Sequence, residues 1–223
     1  MKLFSLFRKS KTPEKVSLLW QNYLQFFEKK VSKKALIREL RFVVVDTETT
    51  GLNYKKDQLL SIAALSIQGF QIDINERYEA FFSHENYQPN DSVKIHGILN
   101  KHLKEGRSEK EILTHFLAYL KDGIIVGHHI GFDVAIINQA LKKHFDIKLK
   151  NQTLDTAWLA ERVRNPIAKD FRSIPLDKLC KQYKIPLGKR HTASGDAFIT
   201  ALLFLKLLGR LEKRKVLEWR DLF

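Results

Sequence analysis

A single cysteine, Cys180, stands in 223 residues. That scarcity excludes an internal disulfide framework and fits a reduced, cytosolic setting, with Cys180 a small apolar core residue within "PLDKLCKQY". No run approaches the ~18 consecutive apolar residues of a membrane span. The opening "MKLFSLFRKSK" is broken at Arg8, after too short an apolar stretch for a secretory signal. Internal repeats and low-complexity linkers are also missing. The expectation is a soluble cytoplasmic protein with no membrane association, and at 44% hydrophobic it is long enough to bury one sizeable core. Acidic residues are in short supply: 25 Asp+Glu face 39 Lys+Arg, a net charge of +14. Residues 1–41 alone hold eleven Lys/Arg against three Glu. Such an excess suits a polyanionic partner, nucleic acid first and an anionic membrane surface second, or serves only as a solvated basic face.

Residues 1–12 read as a basic lead. From Pro13 the apolar residues Val16, Trp20, Tyr23, Phe27 and Val31 recur at spacings of four, three, four and four, while lysines occupy 29, 30, 33 and 34. This pattern predicts an amphipathic helix over 13–40, either packed on the domain through its aromatic stripe or lying on a partner or membrane. "FVVVD" reads as a buried strand, and 58–67 and 77–83 as two more joined in an antiparallel meander. Helices at 108–121, 132–144, 156–164, 175–184 and 193–208 then alternate with strands at 123–128 and in "NQTLDT". The fold class is α/β: a mixed five-stranded sheet flanked by helices, with a basic N-terminal helical extension. The expected division is 1–40 for that extension, 41–209 for the main domain and 210–223 for a helical tail.

"RFVVVDTETTGL" delivers two carboxylates, Asp46 and Glu48, at the end of an apolar strand. Strand alternation points both the same way, at the carboxyl end where open α/β sheets place their sites. Gly51 supplies the turn behind them. Burying such a pair is costly and each raises the other's pKa, so a positive partner is expected beside them. Two further acids stand at helix starts, Asp133 in "GHHIGFD" and Asp196 in "HTASGD", the latter five residues after His191 with Thr192 a candidate N-cap. Each alone fits an ordinary dipole-favoured helix start. Together, four acids without a cysteine cluster suit Mg²⁺ or Mn²⁺, and two such ions would neutralise them and clamp a phosphodiester. His191 is the side chain suited to taking a proton from water at neutral pH.

"DTETTG" at 46–51, "GHHIGFD" at 127–133 and "HTASGD" at 191–196 resemble, in order and approximate spacing, the three motifs of the DEDDh, or DnaQ-like, exonuclease family. That family includes the proofreading epsilon subunit of bacterial DNA polymerase III and stand-alone relatives. The resemblance covers about 41–209. It implies a ribonuclease H-like fold and metal-dependent 3'-to-5' removal of nucleoside monophosphates from single-stranded DNA ends. By position, Asp46, Glu48, Asp133 and Asp196 match the metal-binding acids of a two-ion Mg²⁺ or Mn²⁺ site, and His191 matches the general base. Thr47, through its backbone, and Leu52, as an apolar wedge, match positions touching the terminal nucleotide. His96 in "KIHGI" and Phe132 match positions that contact or stack on it. Asp155 matches an acid beside the site, without direct ligation. His129 stands where the family often has Asn, and His128 with His129 is read as support rather than a metal pair.

The implied partners are single-stranded nucleic acid 3' ends, DNA ahead of RNA, and a replication or repair polymerase; the short stretch after 209 argues against a dedicated polymerase subunit. Three rival readings remain at this level. An RNA-trimming enzyme would share the same carboxylates, because RNA and DNA differ at the 2'-OH. A catalytically silent nucleic-acid-binding module would bind without shortening its ligand. A membrane or partner scaffold built on the N-terminal helix would bind liposomes tightly without binding DNA.

Overall fold

The computed structural model describes residues 14–84, 98, 100–166, 174–188 and 190–223. The elements run α1 (Glu14–Gln25), β1 (Phe42–Thr49), β2 (Leu59–Gln68), β3 (Gln71–Phe81), α2 (Asn100–Lys104), α3 (Glu109–Leu120), β4 (Ile124–Gly127), α4 (Gly131–Phe145), β5 (Thr153–Asp155), α5 (Thr156–Arg164), α6 (Leu176–Tyr183) and α7 (Ala193–Lys213). The sheet order is β3-β2-β1-β4-β5. β1, β2 and β3 pair antiparallel, whereas β4 and β5 join parallel to β1. Among the described residues no helix is long and apolar enough to cross a membrane.

β1 is central and covered on both faces, which is why it reads as an unbroken apolar run. Val43 and Val45 pack with α3 and α4 residues such as Phe116, Ile137 and Leu141. Phe42 and Val44 pack on the other face with Leu159, Leu179, Phe204 and Leu207 from α5, α6 and α7. Continuing the alternation places Asp46 and Glu48 on the α7 face and Thr47 on the α4 face. The register sets Asp46 opposite Ala63 and Glu48 opposite Ser61, with an irregularity between Glu48 and Thr49.

The helix expected over 13–40 ends at Gln25. Lys29 with Lys33 and Lys30 with Lys34 would stack like charges one turn apart on a continued helix, which is unfavourable. The Ser32 hydroxyl instead accepts from Lys34 N at 3.2 Å. Residues 33–40 then pair with the C-terminal tail: Leu36 bridges Glu218, and Ile37 N donates to Leu217 O at 2.8 Å. α1 docks through Tyr23, buried at 2% exposure, whose hydroxyl donates to Asn151 Oδ1 and accepts from Lys150 N at 3.0 Å. Tyr23 and Ile37 thus anchor this stretch to the main domain.

Two other boundaries differ. β3 begins six residues earlier than its apolar pattern indicates, because its first half is an edge strand with exposed polar side chains. α7 runs past 208 to Lys213, since Leu211 still finds a place in the core.

Candidate active site

Two of the acids come from a strand and two from helix starts. Asp46 and Glu48 extend from the end of β1. Asp196 lies in the first turn of α7, whose Thr192 N-cap hydroxyl accepts from Gly195 N at 3.1 Å. One carboxylate oxygen from each of Asp46, Glu48 and Asp196 lies within 4.8 Å of the others. Asp133, in the first turn of α4, is buried against the other side of β1. Its Oδ1 accepts from Thr47 N at 3.0 Å and from Thr47 Oγ1 at 2.6 Å. The backbone and hydroxyl of one β1 residue therefore orient a carboxylate from a helix 86 positions away.

The crowding has an electrostatic signature. Burial, then Asp133, Asp196 and Glu48, hold the Asp46 carboxyl well above the usual carboxylate range, with Arg190 opposing them. Burial, then Asp196 and Asp133, raise Glu48 to about 7. Burial raises Asp133 to about 6, against the lowering effect of the Thr47 hydrogen bonds. These are all-oxygen donors whose negative charge is under-compensated, and their chemistry fits a hard divalent cation.

The chain's own cation at this place is Arg190, which the sequence reading passed over. Its Nη1 donates to Asp196 Oδ1 and its Nε to Asp177 Oδ1 at 2.7 Å. A guanidinium one residue before His191 is the signal that was available. His191 has a left-handed backbone, φ 60°, and its N–H donates to Asp196 Oδ2 at 3.1 Å. His191 is an exposed residue, held next to Asp196 through its backbone.

Leu52 is 91% exposed at the turn beyond β1. Asp57 clasps that turn, accepting from Thr50 Oγ1 at 2.8 Å and Asn53 N at 2.7 Å. A Cβ on Gly51 would meet the Asp57 carboxylate at 2.8 Å, so a larger residue there would disturb the clasp. Asp57 was another residue not singled out from sequence. Phe132 is partly buried against the α3–α4 core. His96 lies outside the described residues.

Asp155 caps α5, accepting from Ala157 N at 2.8 Å, and also accepts from His129 N at 3.2 Å. His128 Nδ1 faces Thr156 Oγ1 at 3.0 Å, and burial together with His129 lowers its pKa to about 4. These groups brace the loop leading to Asp133.

An exonuclease family model, RNase_T, matches residues 43–204, the span from β1 through most of α7. The chain belongs to the RNase_T exonuclease family. A second model, the RCD1-SRO-TAF4 (RST) plant domain, matches residues 1–48 only, a stretch that ends inside the exonuclease domain's first strand. The exonuclease domain is similar to the DNA polymerase III subunit epsilon of Aquifex aeolicus, 30% identical over 170 residues, covering 76% of this chain and 81% of that protein. It is also similar to the PolC-type DNA polymerase III of Bacillus subtilis, 32% identical over 174 residues, 78% of this chain. The matched stretch is only 12% of that PolC and 13% of the Thermotoga maritima one. In structure it resembles E. coli Exonuclease I in complex with a dT13 oligonucleotide, with a TM-score of 0.65 at 18% identity over 80% of this chain and 43% of that one. The architecture is thus the ribonuclease H-like exonuclease fold, and the domain is related to DnaQ-type exonucleases.

Proposed function

We propose that this protein is a metal-dependent 3'-to-5' exonuclease that releases nucleoside monophosphates from single-stranded DNA ends, acting in the cytoplasm beside a replication or repair polymerase. The reading rests on one observation above the rest: three carboxylates from β1 and α7 converge within 4.8 Å in an exonuclease fold. Residues 41–209 carry the activity.

Asp46, Glu48, Asp133 and Asp196 would hold two Mg²⁺ or Mn²⁺ ions. Such ions, when bound, supply positive charge against the oxygens of the phosphodiester and make water a stronger acid. The chain's own groups do the rest. His191, exposed at the mouth and tethered through its N–H to Asp196, takes the proton of the attacking water at its imidazole nitrogen. Thr47 orients Asp133 and lies beside the terminal nucleotide. Leu52 wedges against the last base from its clasped turn, and Phe132 flanks it. The kinship with PolC and epsilon chains, and the fold shared with an oligothymidylate-bound nuclease, favour DNA over RNA.

A time course on matched 5'-labelled single-stranded DNA and RNA, with Mg²⁺, Mn²⁺ or chelator and alongside Asp196→Asn, tests this. The expected result is a metal-dependent ladder shortening from the 3' end, faster on DNA and absent in the variant. Faster shortening of RNA would reassign the substrate. Binding without shortening under any metal would overturn the enzyme reading.

A further inference from the structure

A second candidate site lies at the opposite end of the sheet. A cleft of about 460 Å³ opens between the stretch after α1 and the C-terminal tail. Val31, Ile124 and Trp219 form an apolar floor, and Lys29, Lys30, Lys33 and Lys150 stand around it. Asp122 is the one acid in the lining. None of the four ammonium groups makes an ion pair or hydrogen bond among the described residues. Ile124 pairs with Phe42 at the start of β1, whereas Asp46 and Glu48 lie four and six residues further along that strand. At ~3.3 Å per residue, the cleft is about 13–20 Å from the acids along β1.

The lining narrows the ligand. Four cations against one anion call for a polyanion, and the apolar floor calls for an apolar side chain between its charges. Lysines can hold a nucleic-acid strand by its phosphates alone, but bases seated on this floor would need exposed aromatic faces. The aromatics here are already engaged: Phe27 meets Tyr23 edge-on at 5.0 Å, and Trp219, 5% exposed, sits 5.2 Å from Phe223 and 6.3 Å from Phe42. A lipid surface would need a protruding apolar ridge, and this floor is recessed.

We propose that the cleft is a docking site for an acidic peptide segment of a partner protein, with one apolar side chain seated on the floor and flanking carboxylates meeting Lys29, Lys30, Lys33 and Lys150. This assignment does not depend on the nuclease reading. Docking at this end would leave the carboxylate cluster open while a partner is engaged.

The test uses the full chain and fluorescence anisotropy at about 0.15 M salt, where weak long-range attraction is screened. The probes are a fluorescein-labelled decapeptide of Asp and Gly with a central Phe, the same peptide with Ser for Phe, and labelled oligothymidylate. The Phe peptide should bind about tenfold or more tightly than the Ser peptide, and Lys30→Glu with Lys33→Glu should weaken it by a similar factor. Asp122→Asn should tighten it about threefold, a gain that misfolding cannot produce. Unfolding midpoints and turnover on a short oligonucleotide should stay unchanged in the double variant. Equal binding of the two peptides, or indifference to the double variant, would overturn the proposal. So would loss of oligothymidylate binding in that variant with peptide binding intact, which would make the cleft a nucleic-acid surface.

Discussion

Glu48→Gln should stabilise the metal-free protein at alkaline pH while abolishing turnover. Glu48 rises from its ordinary 4.5 to about 7 in the folded chain, through burial and then through Asp196 and Asp133. Between those values the folded state binds more protons than the unfolded state, so stability is full below 4.5 and falls as pH rises through about 7. A carboxyl displaced that far costs on the order of 3 kcal/mol when ionised. Glu48 is only partly buried, and solvent screening reduces the figure to roughly 1–2 kcal/mol. Urea unfolding at pH 8 with chelator should therefore show the variant more stable by about that amount, with the two proteins converging near pH 4. Saturating Mg²⁺ should reverse the order, since a cation held at a hundred times its Kd stabilises the wild type by about 2.7 kcal/mol and the variant by less. A variant less stable than wild type at pH 8 with chelator, or an advantage that ignores pH, would refute the reasoning.

Arg190→Gln removes the guanidinium that occupies Asp196; it should lower metal-free stability yet tighten Mn²⁺ roughly tenfold in an electron paramagnetic resonance titration, because a competing cation is gone. Weaker Mn²⁺ binding would show that Arg190 supports the site instead. Thr47→Val deletes the 2.6 Å hydrogen bond to Asp133. It should move the Asp133 carboxyl further above about 6, read by carboxyl ¹³C NMR without metal, and slow turnover about tenfold. Glu109→Gln tests a structural cluster of three side chains outside the carboxylate group, Glu109 with Lys143 and His144. Burial alone would raise Glu109, but hydrogen bonds from Lys143 Nζ at 2.8 Å and His144 Nε2 at 2.5 Å hold it below its ordinary 4.5. Its contribution is present above 4.5 and lost as pH falls through the lowered pKa, so the variant should lose about 1 kcal/mol at pH 7 and nothing in strong acid, by urea titration at both pH values.

The parts of the site that could be read from sequence were those set by local periodicity. Alternation along β1 places Asp46 and Glu48 together, and the N-cap at Thr192 marks where α7 begins and hence where Asp196 stands. The parts that escaped depend on distant contacts. Arg190 matters because α6 brings Asp177 and α7 brings Asp196 to its two sides, and Asp57 matters because the turn after β1 folds back on it. The same limit explains the helix expected over 13–40. The aromatic spacing continues through Phe27 and Val31, yet Phe27 packs on the core cluster of α3 and α4 and Val31 on that of α5, α6 and α7, so the spacing does not mark one helix face. β3 was shortened for the converse reason: an edge strand wets one side and carries little apolar signal.

The Leu36–Glu218 bridge has a consequence for how the molecule comes apart. The two backbones lie side by side there, about 5 Å apart, one inter-strand spacing. Ala35 O, Lys33 O and Leu217 O each accept a backbone N–H from the other segment, so the two segments are zipped over several residues. Neither segment can peel away without freeing the other's backbone groups, and the stretch before β1 and the C-terminal tail should therefore open together when either is pulled.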